Sequence, residues 1–404
     1  MYPPNSRAIP SGRLTLPESA EPDRRTSIVV VREPMTLSGF IPAWEELAAA
    51  ALEPNVFYEH WMLLPALEAF GAGRDICFVL VLIRDPRNPD APAQLGGLFP
   101  LEFTPRVKRL QVPALTTWQH LHCLLCTPLV RADAVRECII ELFLWLRSGE
   151  AEAALIEMKS MAGDGPFHRA FGELIGDLGI VSWETGAYAR GLLRKDPGAP
   201  ASFEAAVSSD LRRMLRRKEA RLSEKGRVER LVLRPGDDDL GRWIDEFLRL
   251  EASACIGRRA GSLEGTEIYR RYFTDMATAA YARGRLLMLG LNFDGRPIAR
   301  NCALLAGEGS FTIATACDDH FARFSPGLML DLETVRQLDR LPGVLWLDAG
   351  TERPGMLLGQ FANDRRMIQS LAVGGNALGQ LVLSGLPLLG WGPGRETKNP
   401  SPLR

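Results

Sequence analysis

The sequence is most telling at first for what it lacks. Lys and Arg (48) offset Asp and Glu (49), leaving a net charge of −1, so there is no overall field of one sign to draw the chain to nucleic acid or an anionic membrane. Any charge-driven binding has to be local. No apolar stretch approaches the roughly 20 residues of a membrane helix, and the nearest, 379–392, is interrupted by Pro387. That segment reads as a C-terminal apron or a partner contact, and no integral membrane association is expected. Cysteine is sparse and odd in number, with Cys77, Cys123, Cys126, Cys138, Cys255, Cys302 and Cys317 mostly inside apolar runs as buried thiols are. This points to a reducing, cytoplasmic setting. The first residues have no apolar core of a signal peptide. Gly-x-Ser-x-Gly, a Walker A loop and a Gly-x-Gly-x-x-Gly after a strand are also missing, which removes the signatures of serine hydrolases, P-loop NTPases and dinucleotide enzymes.

What is present is the balance of a soluble globular protein, 46% hydrophobic and 24% charged over 404 residues. That length fits two domains better than one core. A Pro- and Ser-rich arm is expected at 1–25, an N-terminal domain at 26–193, a second at 194–375 and a tail at 376–404. The same order occurs twice: helices, an antiparallel meander, a helix, a strand, then more strand. In the second stretch the meander runs RLLMLGLNF, DGRP, IARNCALLAG, EG, SFTIATACDD, with turn residues that tight hairpins require.

One segment carries chemistry. In FTIATACDDHFARFSPGLML a strand runs through a short loop into a helix with a sharp start. Ser325 suits the N-cap and Pro326 the first turn, while Gly327 admits close approach. The N–H groups of Gly327, Leu328 and Met329 would converge where the helix dipole favours an anion, and Arg323 could add a charged contact. Asp348, ending VLWLD, is placed to orient or deprotonate a second substrate, and His320 is another candidate base. In HLHCLLC, His120 and His122 share one face of an expected strand while Cys123 points away, so Cys126 and its neighbours cannot close a zinc tetrahedron. No metal is expected. These histidines would instead face a cleft between the halves. Arg212, Arg213, Arg216, Arg217, Lys218 and Arg221 form a basic helix face, either solvated or an anion contact; without interleaved aromatics it does not suit nucleic acid.

The string DGRPIARNCALLAGEGSFTIATACDDHFARFSPGLMLDLETV resembles the second half of GNAT-superfamily proteins of the cellulose-biosynthesis acetyltransferase (CelD) type. The likeness extends over about 40 to 375 through SSDLRRMLRRKEARLSEKG, FLRLEAS and PNVFYEHWMLLPAL. It implies an α/β fold of two tandem GNAT-like domains, each a mixed, mostly antiparallel sheet flanked by helices. It also implies transfer of an acyl group from acetyl- or another acyl-coenzyme A, a co-substrate and not a resident cofactor, to an amine or hydroxyl of a small-molecule or polysaccharide acceptor. Thr315, Ala316, Arg323, Ser325, Gly327, Leu328 and Met329 would then hold coenzyme A, and Asn301, His120 and His122 the acceptor. Two alternatives stay open: a Fem-like transferase using aminoacyl-tRNA, and a non-catalytic ligand-binding homologue. The sequence departs from the CelD pattern at Cys255 and Ile256, where relatives carry Trp and Lys, and in lacking a Tyr-Lys pair after Asp348. The acceptor and the oligomeric state cannot be read from it.

Overall fold

The computed structural model describes residues 25–85, 87–88, 91–106, 111–195, 202–255, 266–350 and 362–386. The expected arm, the end of the tail, the linker at 196–201 and Ile256 therefore lie outside the described residues, as does the side chain of Cys255. The first half runs β1 (Thr26–Val31), α1 (Ile41–Ala50), α2 (His60–Phe70), β2 (Ile76–Ile83), β3 (Gln94–Thr104), β4 (Ala114–Thr117), β5 (Leu129–Val130), α3 (Val135–Ser148), β6 (Leu155–Ala162), α4 (Pro166–Asp177) and β7 (Ser182–Arg194). The second runs α5 (Phe203–Ala206), α6 (Ser209–Ser223), β8 (Val228–Val232), α7 (Leu240–Cys255), α8 (Glu267–Ala282), β9 (Leu286–Phe293), β10 (Arg296–Ala306), β11 (Gly309–Cys317), α9 (Pro326–Asp339), β12 (Trp346–Asp348), β13 (Asp364–Gly374) and α10 (Ala377–Gly385). Both halves share a strand, two helices, a three-stranded meander, a helix, a strand and a long last strand, to which the first half adds β5 and α4 and the second α5, α6 and α10. The tandem architecture is present.

The halves share one sheet, in the order β1-β2-β3-β4-β6-β13-β7-β12-β11-β10-β9-β8, with β5 beside β3. Read from either edge the pattern is the same, but the last strands have changed places. β13, from the second half, lies against β6, and β7, from the first, lies against β12. The two pair with each other from Asp364↔Leu192 to Val373↔Ser182. A boundary at 193/194 therefore follows the chain and not the packing.

Patterning explains the layers. In β2 every residue is buried, because alternate side chains enter different cores: Phe78, Leu80 and Leu82 on one face, Cys77, Val79, Val81 and Ile83 on the other. The first core is continuous across both halves, joining Trp44 and Phe57 to Phe247 and Phe311, with the Phe57 and Phe311 rings 5.1 Å apart. The β9–β10 hairpin turns at Asp294 and Gly295, both at positive φ (48° and 76°), as DGRP led one to expect. Between α5 and α6 the chain is extended at Val207, where ψ is 124°, and Ser208 caps α6 by accepting from Leu211 N–H. Within the expected tail, α10 packs on β13 and buries Leu383 and Leu386 to 1% exposure, so this piece completes a core. Among the described residues no helix is long and apolar enough to cross a membrane.

The exchange predicts shared stability. Fragments 25–193 and 194–386, made separately, each lack the strand that covers β6 or β12 and should show no cooperative urea transition, whereas co-expressed they should unfold together. Two independent transitions, followed by circular dichroism, would contradict this.

Candidate active site

The two halves differ where a parallel strand pair opens. β11 and β12 pair only from Gly309↔Trp346 to Phe311↔Asp348. From Thr312 to Cys317, β11 is bonded to β10 alone, and no strand among the described residues covers its other edge. Beside this opening the Oγ atoms of Ser310 and Thr312 are buried without a hydrogen-bond partner. The chain then turns through 319–324 into α9.

In the first half the matching pair, β4 and β6, parts after Thr116↔Glu157, and the gap is filled. Lys159 N–H donates to Thr117 Oγ1 (2.8 Å) and Cys126 N–H to Ser160 O (3.1 Å). Gln119 Nε2 reaches Ser160 Oγ at 3.1 Å, and Ser160 N–H is taken by Ser370 Oγ at 3.0 Å. Among the described residues one opening is free along a strand edge and the other is stitched shut.

Ser325 does precede α9, but not as a side-chain cap. It adopts φ 57°, ψ 53° and makes no capping bond; instead its Oγ accepts from Lys218 Nζ of α6 at 2.7 Å. A non-glycine residue in this region is uncommon and requires surrounding contacts to hold it. Gly327, Leu328 and Met329 are buried. Gly327 N–H donates toward Cys317, whose thiol burial pushes up to about 12, while Met329 N–H has entered the helix ladder on Ser325 O (3.2 Å). Arg323 is exposed, its guanidinium 4.7 Å from the Phe324 ring. Behind α9, Asn301 Nδ2 donates to Thr315 Oγ1 (2.7 Å) and Thr334 Oγ1 to Asn301 Oδ1 (3.2 Å). These surround Asp331, whose carboxyl burial pushes well above the usual carboxylate range and whose Oδ2 has no partner among the described residues. Thr315, next to buried Ala316, thus sits with Asn301 in one internal network, and Asn301 is fully buried.

Asp348 is fully buried at the meeting of the exchanged strands. Its Oδ2 accepts from Arg190 Nε (3.0 Å) and Nη2 (2.8 Å) on β7 and from Arg366 Nη1 (2.8 Å) on β13, and its Oδ1 accepts from Gly350 N–H (2.9 Å). Expected to orient or deprotonate an acceptor, it stands instead as the shared counter-ion of two guanidiniums. Sequence reading missed both arginines. The signal was available, since an Arg inside an otherwise apolar strand, as in YARGLL, needs a buried counter-charge. His320 is on the exposed turn, with 92% of its side chain accessible, and pairs with Asp318 at 2.8 Å.

His120 and His122 lie in the loop after β4, not on a strand, because β4 ends at Thr117. The loop carries them to the junction of α2 and α8. His120 stacks on Phe70 (5.1 Å), and His122 on Tyr269 (4.8 Å) and Tyr272 (5.7 Å). Burial lowers both, His122 to about 4. The loop also touches the site: Arg190 Nη1 donates to Leu124 O (2.7 Å), and a Cβ on Gly350 would come within 2.9 Å of Leu124 and 2.8 Å of Thr312 O. Among the described residues no group of three or more His, Cys, Asp or Glu could hold a metal.

A meander leading through a short turn into a helix that opens at Ser325-Pro326-Gly327 is what the resemblance implies for the second half, and β9 to β11, the turn at 319–324 and α9 have that order. Residues 209–355 match the acetyltransferase (GNAT) domain. No curated protein matches the chain. Among solved structures, FemX is similar with a TM-score of 0.55 at 11% identity, covering 85% of this chain and 98% of its own. A conserved protein of unknown function from Bacteroides thetaiotaomicron has a TM-score of 0.50 at 14% identity, covering 83% of this chain and 97% of its own. These likenesses show the fold across both halves.

Replacing Asp348 by Asn leaves two buried guanidiniums without a counter-charge, and should cost about 3–5 kcal/mol in urea unfolding. A loss under about 1 kcal/mol would show that the cluster is not held by charge. Neutral His122, by contrast, contributes stability present above its unfolded value near 6.5 and lost as pH falls through about 4. His122→Phe should flatten the acid side of the unfolding profile by up to about 3 kcal/mol.

Proposed function

We propose that this protein is an acyltransferase of the CelD type that takes its acyl group from a coenzyme A thioester bound to the second half. The observation carrying this reading is the contrast between the openings: among the described residues β11 presents a free edge from Thr312 onward, whereas the first half closes its counterpart with Thr117, Gln119 and Ser160. The pantetheine arm would lie along that edge as an added strand, its amides taking the unpaired N–H and C=O groups. The phosphates would rest near the start of α9, bordered by Lys218 and Arg323. Lys218 is already aimed at Ser325, and with Arg323 it makes the rim cationic.

Transfer then needs little from the protein. A β11 N–H would polarise the thioester carbonyl as the acceptor's amine or hydroxyl attacks; the new C–N or C–O bond replaces the C–S bond, and the acceptor's proton passes by way of solvent to the departing coenzyme A thiolate. The acceptor would reach the carbonyl from the face on which the first half's loop, with His120, His122 and Leu124, crosses the second half. The reaction is expected in the cytoplasm.

Calorimetric titration with acetyl-, medium- and long-chain coenzyme A thioesters tests the donor. At least one should bind, and Lys218→Ala with Arg323→Ala should weaken it by about tenfold through lost charge-assisted contacts. Absence of binding by the intact chain would remove the donor site.

A further inference from the structure

The cluster at the centre of the sheet is electrically unbalanced. Arg190 is satisfied, with Nε and Nη2 on Asp348 and Nη1 on Leu124 O. Arg366, only 7% exposed, places a single N–H on the same oxygen of Asp348, and among the described residues no acceptor stands against its other N–H groups. Two guanidiniums therefore share one carboxylate. Burial lowers the Arg366 pKa from its ordinary value, and the neighbouring Arg190 lowers it further. Its plane is fixed by flat neighbours, the guanidinium lying 4.3 Å from the Trp346 ring and 5.8 Å from that of Phe311.

Glu53 stands beside this cation. Its Oε2 accepts from Phe167 N–H at the start of α4 (3.2 Å), and Gly165 permits the approach, since a Cβ there would lie 2.3 Å from the same oxygen. Burial pushes the Glu53 carboxyl up to about 7, against the pull of Phe167 N–H and Arg366. The charged groups around it are Arg366 from β13 and Asp164 from the turn before α4; Asp164 is itself 3.8 Å from Arg194 of β7. From the loop after β4 it meets only the hydroxyl of Thr127. Near neutral pH Glu53 thus neutralises Arg366 only in part.

We propose that the acceptor carries a carboxylate, and that the unused N–H groups of Arg366 hold it beside Glu53 on the core face where the two halves meet. That this ligand is the acceptor rests on the acyl-transfer reading above; the seat itself does not. A carboxylate supplies the counter-charge the cluster lacks and matches the guanidinium fork. Neutral Glu53 can donate its O–H to the ligand, whereas ionised Glu53 repels it. Binding therefore takes up a proton when Glu53 begins ionised, and affinity falls as pH rises through about 7.

The test is calorimetry on the full chain in two buffers of different ionisation enthalpy, with D-glucuronate as a sugar acid, L-alanine as an amino acid and D-glucose as a neutral control. One of the two carboxylates should bind and D-glucose should not; which one binds tells the source of the acid group. Proton uptake should accompany binding, with affinity falling by up to about tenfold per pH unit above about 7. Glu53→Gln should keep binding but lose the uptake and the pH slope. Arg366→Lys, which keeps a charge for Asp348 and loses the fork, should weaken the carboxylate at least about tenfold while coenzyme A affinity stays unchanged. The proposal is overturned if neither carboxylate binds the wild type, if Arg366→Lys binds as well, or if Glu53→Gln still takes up the proton. Coenzyme A binding with no carboxylate binding sinks the seat alone. The reverse result sinks the donor reading and leaves the seat.

Discussion

The pairing of β7 with β13 is the constraint on which the rest depends. Because each half's last strand lies against the other half's sheet, the two cannot be positioned independently. The core above the sheet runs unbroken from Trp44 to Phe247. The same pairing sets Arg190 opposite Arg366 and brings both onto Asp348. A buried ion cluster of this kind contributes little net stability against a well-packed apolar alternative. The three charges meet because the register of β7, β12 and β13 sets Leu192 beside Asp348 and Arg190 beside Arg366.

Within that arrangement the two halves differ at their strand openings. The strand opening in the first half is closed by its own side chains, and its loop extends over the junction to pack His120 and His122 among Phe70, Tyr269 and Tyr272. The second half keeps its opening, with hydroxyls at Ser310 and Thr312 that have no partner among the described residues. The asymmetry arises from a few hydrogen-bonding side chains and not from a change of topology.

Much of this was legible in the sequence. The meander was marked by Asp294-Gly295, the helix after Ser325-Pro326-Gly327 by its residue types, and the repeated order of elements by hydrophobic period. What could not be read was anything that depends on contacts across the two halves. The exchange of β7 and β13 leaves no local trace, since a buried strand has the same composition beside either neighbour. For the same reason Asp348 looked available for chemistry, when both of its cationic partners lie elsewhere in the chain. His120 and His122 seemed to alternate on a strand because TTWQHLH has a period of two that chain direction after Thr117 does not follow. Ser325 matched the composition of a cap, but its positive φ turns the hydroxyl toward Lys218 on α6.

The strand exchange also governs how the polypeptide emerges from the ribosome. The edge of β6 at Ala162 finds its partner only when Ile368 has been made, and at about 5–20 residues per second that interval lasts roughly 10–40 s. Throughout it, the nascent first half exposes an unpaired edge on a sheet built from apolar strands, the state most open to pairing with a foreign strand. A chain wired this way favours a cell in which chaperones hold long nascent segments, and its yield in a heterologous host would be set by what happens to that edge before synthesis ends.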